Sequence, residues 1–149
     1  IQMLWDRGEG AGYVQHVTAD PLPGTPAKTV LIHVALGDWQ VTELSAFVEA
    51  RSLGIPIHRP VAEDGRSAEV EPGWGLESIE YPSSGSGIVY WDSDSTPIPF
   101  EATPPRSSRD SHEDPRRDPQ ALEQIAAFLF DGQLIDVCDG AACHSSQRQ

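Results

Sequence analysis

The segment Thr29-Val30-Leu31-Ile32-His33-Val34-Ala35-Leu36 is an almost unbroken apolar run rich in β-branched residues. A run of this kind reads as a strand buried on both faces, which places it inside a parallel sheet. Gly37-Asp38 ends it as a tight turn. Val41, Leu44, Phe47 and Val48 then recur at helical spacing, with Thr42 in position to cap and Gly54 and Pro56 as stop signals. The first unit is strand, turn, helix.

The rest of the chain is less regular. From Pro56 to Gly87, Pro, Gly, Glu and Ser dominate without a sustained period, so the stretch is expected to be a loop-rich insertion. Ile88-Val89-Tyr90-Trp91 is the second expected strand, and the polar, proline-bearing Asp92 to Asp118 is expected to be loop. The strongest helix signal follows. Asp118 can cap, Pro119 fits a first turn, Leu122, Ile125, Ala126 and Leu129 share one face, and Gly132 stops it. A short apolar stretch, Leu134 to Val137, leads into a cysteine-containing tail over 133–149. The N-terminal Ile1 to Pro26 holds Trp5, Tyr13 and a Pro-Leu-Pro-Gly cluster but no clear element, and there is no internal repeat. Strand, helix, strand, helix favours an α/β fold of one segment spanning 1–149.

A chain of 149 residues is long enough for one domain with its own core, although a start at Ile1 also suits a fragment or processed product. The net charge of -13, with only ten Lys and Arg, argues against a nucleic-acid partner and against an anionic membrane surface. No apolar run approaches the roughly 20 residues of a membrane span. A small-molecule partner is the expectation. Cys138 and Cys143 flank a loop of four residues and are expected to form a disulfide, which would suit a secreted or periplasmic location; a pair of reduced thiols fits the same spacing.

In open α/β sheets the working residues sit outside the carboxyl ends of the strands. Asp38 has that position, and His112 lies on the loop entering the last helix. A carboxylate on a rigid strand end can fix the tautomer of an imidazole, which then serves as general base to a nucleophile. The competing reading is a turn aspartate and a surface histidine. No Gly-x-Ser-x-Gly elbow occurs; Ser84-Gly85-Ser86-Gly87 comes nearest, but it precedes a strand instead of joining strand to helix. The Val-Leu-Ile-His-Val-Ala-Leu-Gly-Asp-Trp-Gln-Val core within Lys28 to Gly54 resembles the acid-bearing strand and helix of the α/β-hydrolase fold. Ser111-His112-Glu113-Asp114-Pro115-Arg116 before an amphipathic helix is similar to that fold's histidine loop. The whole looks like the C-terminal portion of secreted or lipoprotein-like bacterial hydrolases. The resemblance implies a partial hydrolase-like parallel sheet with flanking helices and long loops. It also implies Asp38 as acid and His112 as base of a Ser-Asp-His-type triad acting on an ester or amide, inactive without a nucleophile from an N-terminal remainder.

Two other constellations stay open. Asp92-Ser93-Asp94-Ser95-Thr96 after an apolar strand resembles the phosphoryl-transfer motif of haloacid-dehalogenase-type phosphatases, in which two alternate carboxylates converge on magnesium; a solvated turn explains the same residues. Cys138, Cys143 and His144, with His112, are a weaker metal set, lacking a second ligand pair, so no metal or cofactor is assigned. His33 reads as a hydrogen-bonded core histidine, and His16 and His58 as loop residues. Trp5, Trp39, Trp74 and Trp91 read as packing anchors. A non-catalytic acidic interaction domain is the remaining alternative.

Overall fold

The computed structural model describes residues 8–62, 66–67, 69, 71–101, 103 and 109–146. The apolar run forms β1 (Leu31–Ala35), and the second strand is β2 (Gly87–Asp92). They pair in parallel, with Leu31 opposite Gly87 and Ala35 opposite Trp91. A two-residue β3 (Cys143–His144) runs parallel along the other side of β2, so the order is β1-β2-β3. The chain is therefore α/β with a small parallel sheet, as its alternation of elements suggested. The strand buried throughout is β2, not β1: β2 is central, whereas β1 lies at an edge and leaves Leu31, Ile32 and His33 half-buried.

Because side chains alternate along a strand, β2 serves two cores. Ile88 and Tyr90 join Val34, Leu36, Phe47, Ala50 and Leu53 on the face covered by α1 (Glu43–Leu53). Val89 and Trp91 join Ala121, Val137 and Cys143 on the opposite face, beneath α3 (Pro119–Ala126). Phe47 meets Tyr90 edge-on with ring centroids 5.3 Å apart. Each such large apolar side chain contributes about 1.5–3 kcal/mol when fully buried.

Both helices depart from their expected faces. Thr42 occupies the cap position of α1 without a side-chain bond, while Gly54 closes the other end in a left-handed conformation at φ 65°. The helix buries Phe47, Ala50 and Leu53 together with Glu43, and leaves Val41, Leu44 and Val48 exposed. In α3, Asp118 does cap, accepting from the amides of Gln120 and Ala121, but the buried residues are Ala121 and Gln124. Leu122 and Leu129 stay exposed, and Ala127–Asp131 continues the helix as a wider π turn ending at Gly132.

Other segments also differ. A short helix, α2 (Asp114–Arg117), stands where loop was expected. The 56–87 stretch has no long element among its described residues, and it contributes to the core: Ile57, Leu76 and Ile79 are buried, and Ile57 bridges to Ser78 and Ile88. Leu134 exchanges two backbone bonds with Ser83 as an isolated bridge, and the third strand comes from the tail. Cys138 and Cys143 form the disulfide, with Cα atoms 5.3 Å apart. Two 3-10 turns, Gly10–Gly12 and Val14–His16, occupy the N-terminal stretch, while Ile1 and Trp5 lie outside the described residues. Trp91 is a core anchor, whereas Trp39 and Trp74 are exposed. No helix among the described residues is long and apolar enough to cross a membrane.

Candidate acid–base site

The site grows from the end of β1. Leu36 extends the ladder by donating its amide to Trp91 O (2.9 Å), and the chain then turns at Gly37. Gly37 has φ 75°, and a Cβ there would lie 2.5 Å from the Thr96 carbonyl, so only glycine fits. Its amide donates to Glu43 Oε2 (3.1 Å). Glu43 is fully buried and also accepts from Ser67 Oγ (3.0 Å) and Tyr90 Oη (2.9 Å), which ties the turn to the centre of β2. Burial, and next the Glu43 charge, push the Tyr90 phenol far above its ordinary range, so it stays a donor.

Asp38 follows directly and is 7% exposed. Its Oδ1 accepts from the amides of Gln40 (2.7 Å) and Val41 (2.9 Å), which fixes the carboxylate plane. Its Oδ2 is 2.7 Å from His112 Nδ1. A carboxylate can only accept here, so Nδ1 carries the proton and Nε2 of the neutral ring keeps its lone pair. Nε2 has no hydrogen bond among the described residues, and the Glu113 carboxylate lies 3.8 Å from it.

The contact joins residues 74 apart in sequence, and two neighbours of His112 hold the loops together. Ser111 is fully buried and its Oγ donates to Leu36 O (2.6 Å). Asp110 accepts from the Trp39 amide (3.1 Å) and from Gln40 Nε2 (3.0 Å), and also from the His112 amide (3.1 Å). Burial works against ionisation of Asp110, but these donors and the nearby His112 hold its carboxyl below the ordinary value. Behind the loop, Arg109 grips both oxygens of Asp114 at 2.8 and 2.7 Å, and Ser93 just past β2 also donates to Asp114. Asp110 and Glu43 were missed in sequence. A signal for Asp110 existed in the Asp-Ser-His spacing, which suits an aspartate capping the amide two residues on; a buried Glu on a helix carries no comparable mark.

A groove of about 490 Å³ runs along β1 between α1 and the α3 side, and Asp38 and His112 line it together with Val41, Glu49, Ile125 and Phe128. His33, on the same strand, is the core histidine its position suggested. Its Nε2 meets Gln124 Oε1 at 2.7 Å, and Nδ1 has no partner. Burial lowers its pKa, against a smaller opposite effect of Gln124.

The other constellations assemble differently. Asp92 is 2% exposed and its two oxygens accept from Arg66 Nε and Nη2, both at 2.8 Å. Asp94 lies beyond the strand at φ 60° and donates its amide to Asp92 Oδ1. The strand alternation has ended before Asp94, and the cation that both carboxylates approach is a guanidinium: Arg66 Nη2 is 2.8 Å from Asp92 Oδ1 and 3.9 Å from Asp94 Oδ1. The cysteines are consumed by their disulfide, and the histidine beside them is His58, not His144; the nearest ligand atoms of His58, Cys138 and Cys143 lie within 4.8 Å of one another. His58 is in a loop, as its sequence suggested, and is buried, bonded to Tyr81 Oη (3.0 Å) and Ala141 O (2.7 Å). His112 is engaged with Asp38, so the weaker set of Cys138, Cys143, His144 and His112 is not brought together. No family model, curated protein or solved structure matches this chain.

Proposed function

We propose that Asp38 and His112 are the orienting acid and the general base of a hydrolase acting on an ester or amide, with the nucleophile contributed by polypeptide outside these residues. The observation that carries this reading is the 2.7 Å contact between Asp38 Oδ2 and His112 Nδ1, made by a carboxylate whose other oxygen is already fixed by two amides. Such a carboxylate selects the tautomer and stabilises the imidazolium that forms when Nε2 removes a proton from a hydroxyl. Nε2 would then return that proton to the leaving group, through an acyl-enzyme. The α/β-hydrolase resemblance supports the same assignment, and the partial parallel sheet is consistent with it. The Arg66 ion pair at Asp92 weighs against the magnesium-phosphatase alternative.

The test is hydrolysis of activated aryl esters by the chain alone and by the chain joined to its upstream polypeptide. The joined form is expected to turn over, with His112→Ala lowering kcat by about 10⁶-fold and Asp38→Asn by about 10⁴-fold. Turnover by the chain alone that survives His112→Ala would remove the proposal.

A further inference from the structure

The disulfide sits against a buried histidine that the acid–base site does not use. A ring nitrogen of His58 and the sulfurs of Cys138 and Cys143 lie within 4.8 Å of one another. An imidazole and two thiolates form a donor set that zinc takes readily. In the oxidised chain the sulfurs are bonded to each other and carry no charge. The backbone bonds that place all three residues, however, do not depend on the disulfide. The His58 amide donates to Ile88 O (2.9 Å), beside β2. Asp136 accepts from the amides of Cys138 (2.9 Å) and Gly140 (2.8 Å), and the Ala141 amide donates to Cys138 O (3.0 Å). Cys143 is in register with Trp91, and just after it the Ser145 amide donates to Asp92 O (2.9 Å). The cysteine Cα atoms are thus held 5.3 Å apart from both sides. With Zn–S bonds of about 2.3 Å, two thiolates on one tetrahedral zinc lie about 3.7 Å apart, a separation that side-chain rotation supplies.

We propose that reduction of the disulfide converts this cluster into a zinc site, with His58 Nε2 and the thiolates of Cys138 and Cys143 as ligands and water in the fourth position. Nε2 is the nitrogen turned toward the cysteine loop, since it meets Ala141 O at 2.7 Å, while Nδ1 faces Tyr81 Oη at 3.0 Å. A carbonyl only accepts, so Nε2 carries the proton in the oxidised chain and the phenol donates to Nδ1. Burial, and next the Asp136 charge, push the Tyr81 phenol upward, so it keeps its proton. A thiol reductant takes the disulfide to two thiols and becomes a disulfide itself. Zinc then displaces both thiol protons to solvent, and the ring proton passes from Nε2 to Nδ1, which donates to Tyr81 Oη. That bond is the outer support a ligating histidine needs. Asp139, Gly140 and Ala141 are exposed and Cys138 is half-buried, which gives a reductant its access. The net charge of -13 favours a bound cation. Zinc would tie the 56–87 stretch to β3, a link the disulfide does not make.

The inference is independent of the catalytic assignment. Its test is titration of the full chain with cobalt(II) and with zinc(II), oxidised and after reduction by a water-soluble phosphine, which ends as its oxide with oxygen from water. The chain has two cysteines, so a thiolate-to-cobalt charge-transfer band reports this pair. The reduced chain is expected to bind one equivalent with that band and tetrahedral d–d bands, and the oxidised chain to show neither. Zinc should displace the cobalt. Tyr81→Phe is expected to weaken zinc binding by about 10- to 100-fold and His58→Gln by at least as much, with His144→Gln unchanged. Cobalt should also shift the His58 ring resonances of the unmutated chain paramagnetically, a readout that stands even where His58→Gln fails to fold. Three results would each overturn the proposal: no charge-transfer band after reduction, equal zinc affinity in the oxidised chain, or a band accompanied by paramagnetic shifts at His144 and not at His58.

Discussion

Asp110 shows how much of the site depends on a residue that performs no chemistry in it. It collects donors from Trp39, Gln40 and His112, and so closes the gap between two loops that approach from different strands. Asp110→Ala is expected to cost about 1.5–3 kcal/mol, the range for hydrogen bonds to a charged group, in urea unfolding at neutral pH. Its folded pKa lies below the ordinary 3.8, so the contribution is present above that value and fades as pH falls through the folded one. The difference between wild type and variant should therefore narrow in acid and stay constant from weakly acidic to neutral pH. His33 has the same sign for a different reason. Burial depresses its pKa, so it should remain neutral below 6.5, which its ring proton shifts in an NMR titration would report.

Among the elements, α3 depends most on one side chain. Asp118 caps it through the amides of Gln120 and Ala121, and its second oxygen accepts from the Ser146 amide (2.7 Å) and hydroxyl (3.0 Å). The cap therefore also anchors the tail that carries β3. Asp118→Ala is expected to lower stability by about 1–2 kcal/mol, and Asp118→Asn to recover most of the helix capping but less of the tail anchoring. Thermal unfolding of the two variants would separate the effects. The helix α1 has no such side-chain cap and relies on Gly54 and on burial of Phe47 against Tyr90.

Across the molecule, the disulfide closes a short loop and joins the residue that begins β3 to the turn before it. Reduction is expected to cost about 2 kcal/mol on the chain-entropy relation for so small a loop. Urea unfolding with and without a thiol reductant measures this. The Asp38–His112 contact, on the far side of β2 from β3, should persist after reduction, as seen by the His112 ring resonances. A sheet with one strand fully buried, one half-open and one two residues long leaves apolar side chains of both helices, Leu44 and Val48 on one and Leu122 on the other, exposed.

Local chemistry was legible in the chain. An apolar run ended by Gly37-Asp38 places a carboxylate at a strand end, Asp118-Pro119 starts a helix, and two cysteines flanking a short loop form a disulfide, because each depends on neighbours a few residues away. What no local pattern contains is the company each segment keeps. That β1 is an edge, that Val41 and Leu122 face outward, that Arg66 occupies Asp92 and His58 lies beside the cysteines are outcomes of contacts between distant segments. The pairing of Asp38 with His112 belongs to both levels: sequence pattern and resemblance named the residues, and the packing of two loops through Ser111 and Asp110 brought them within 2.7 Å.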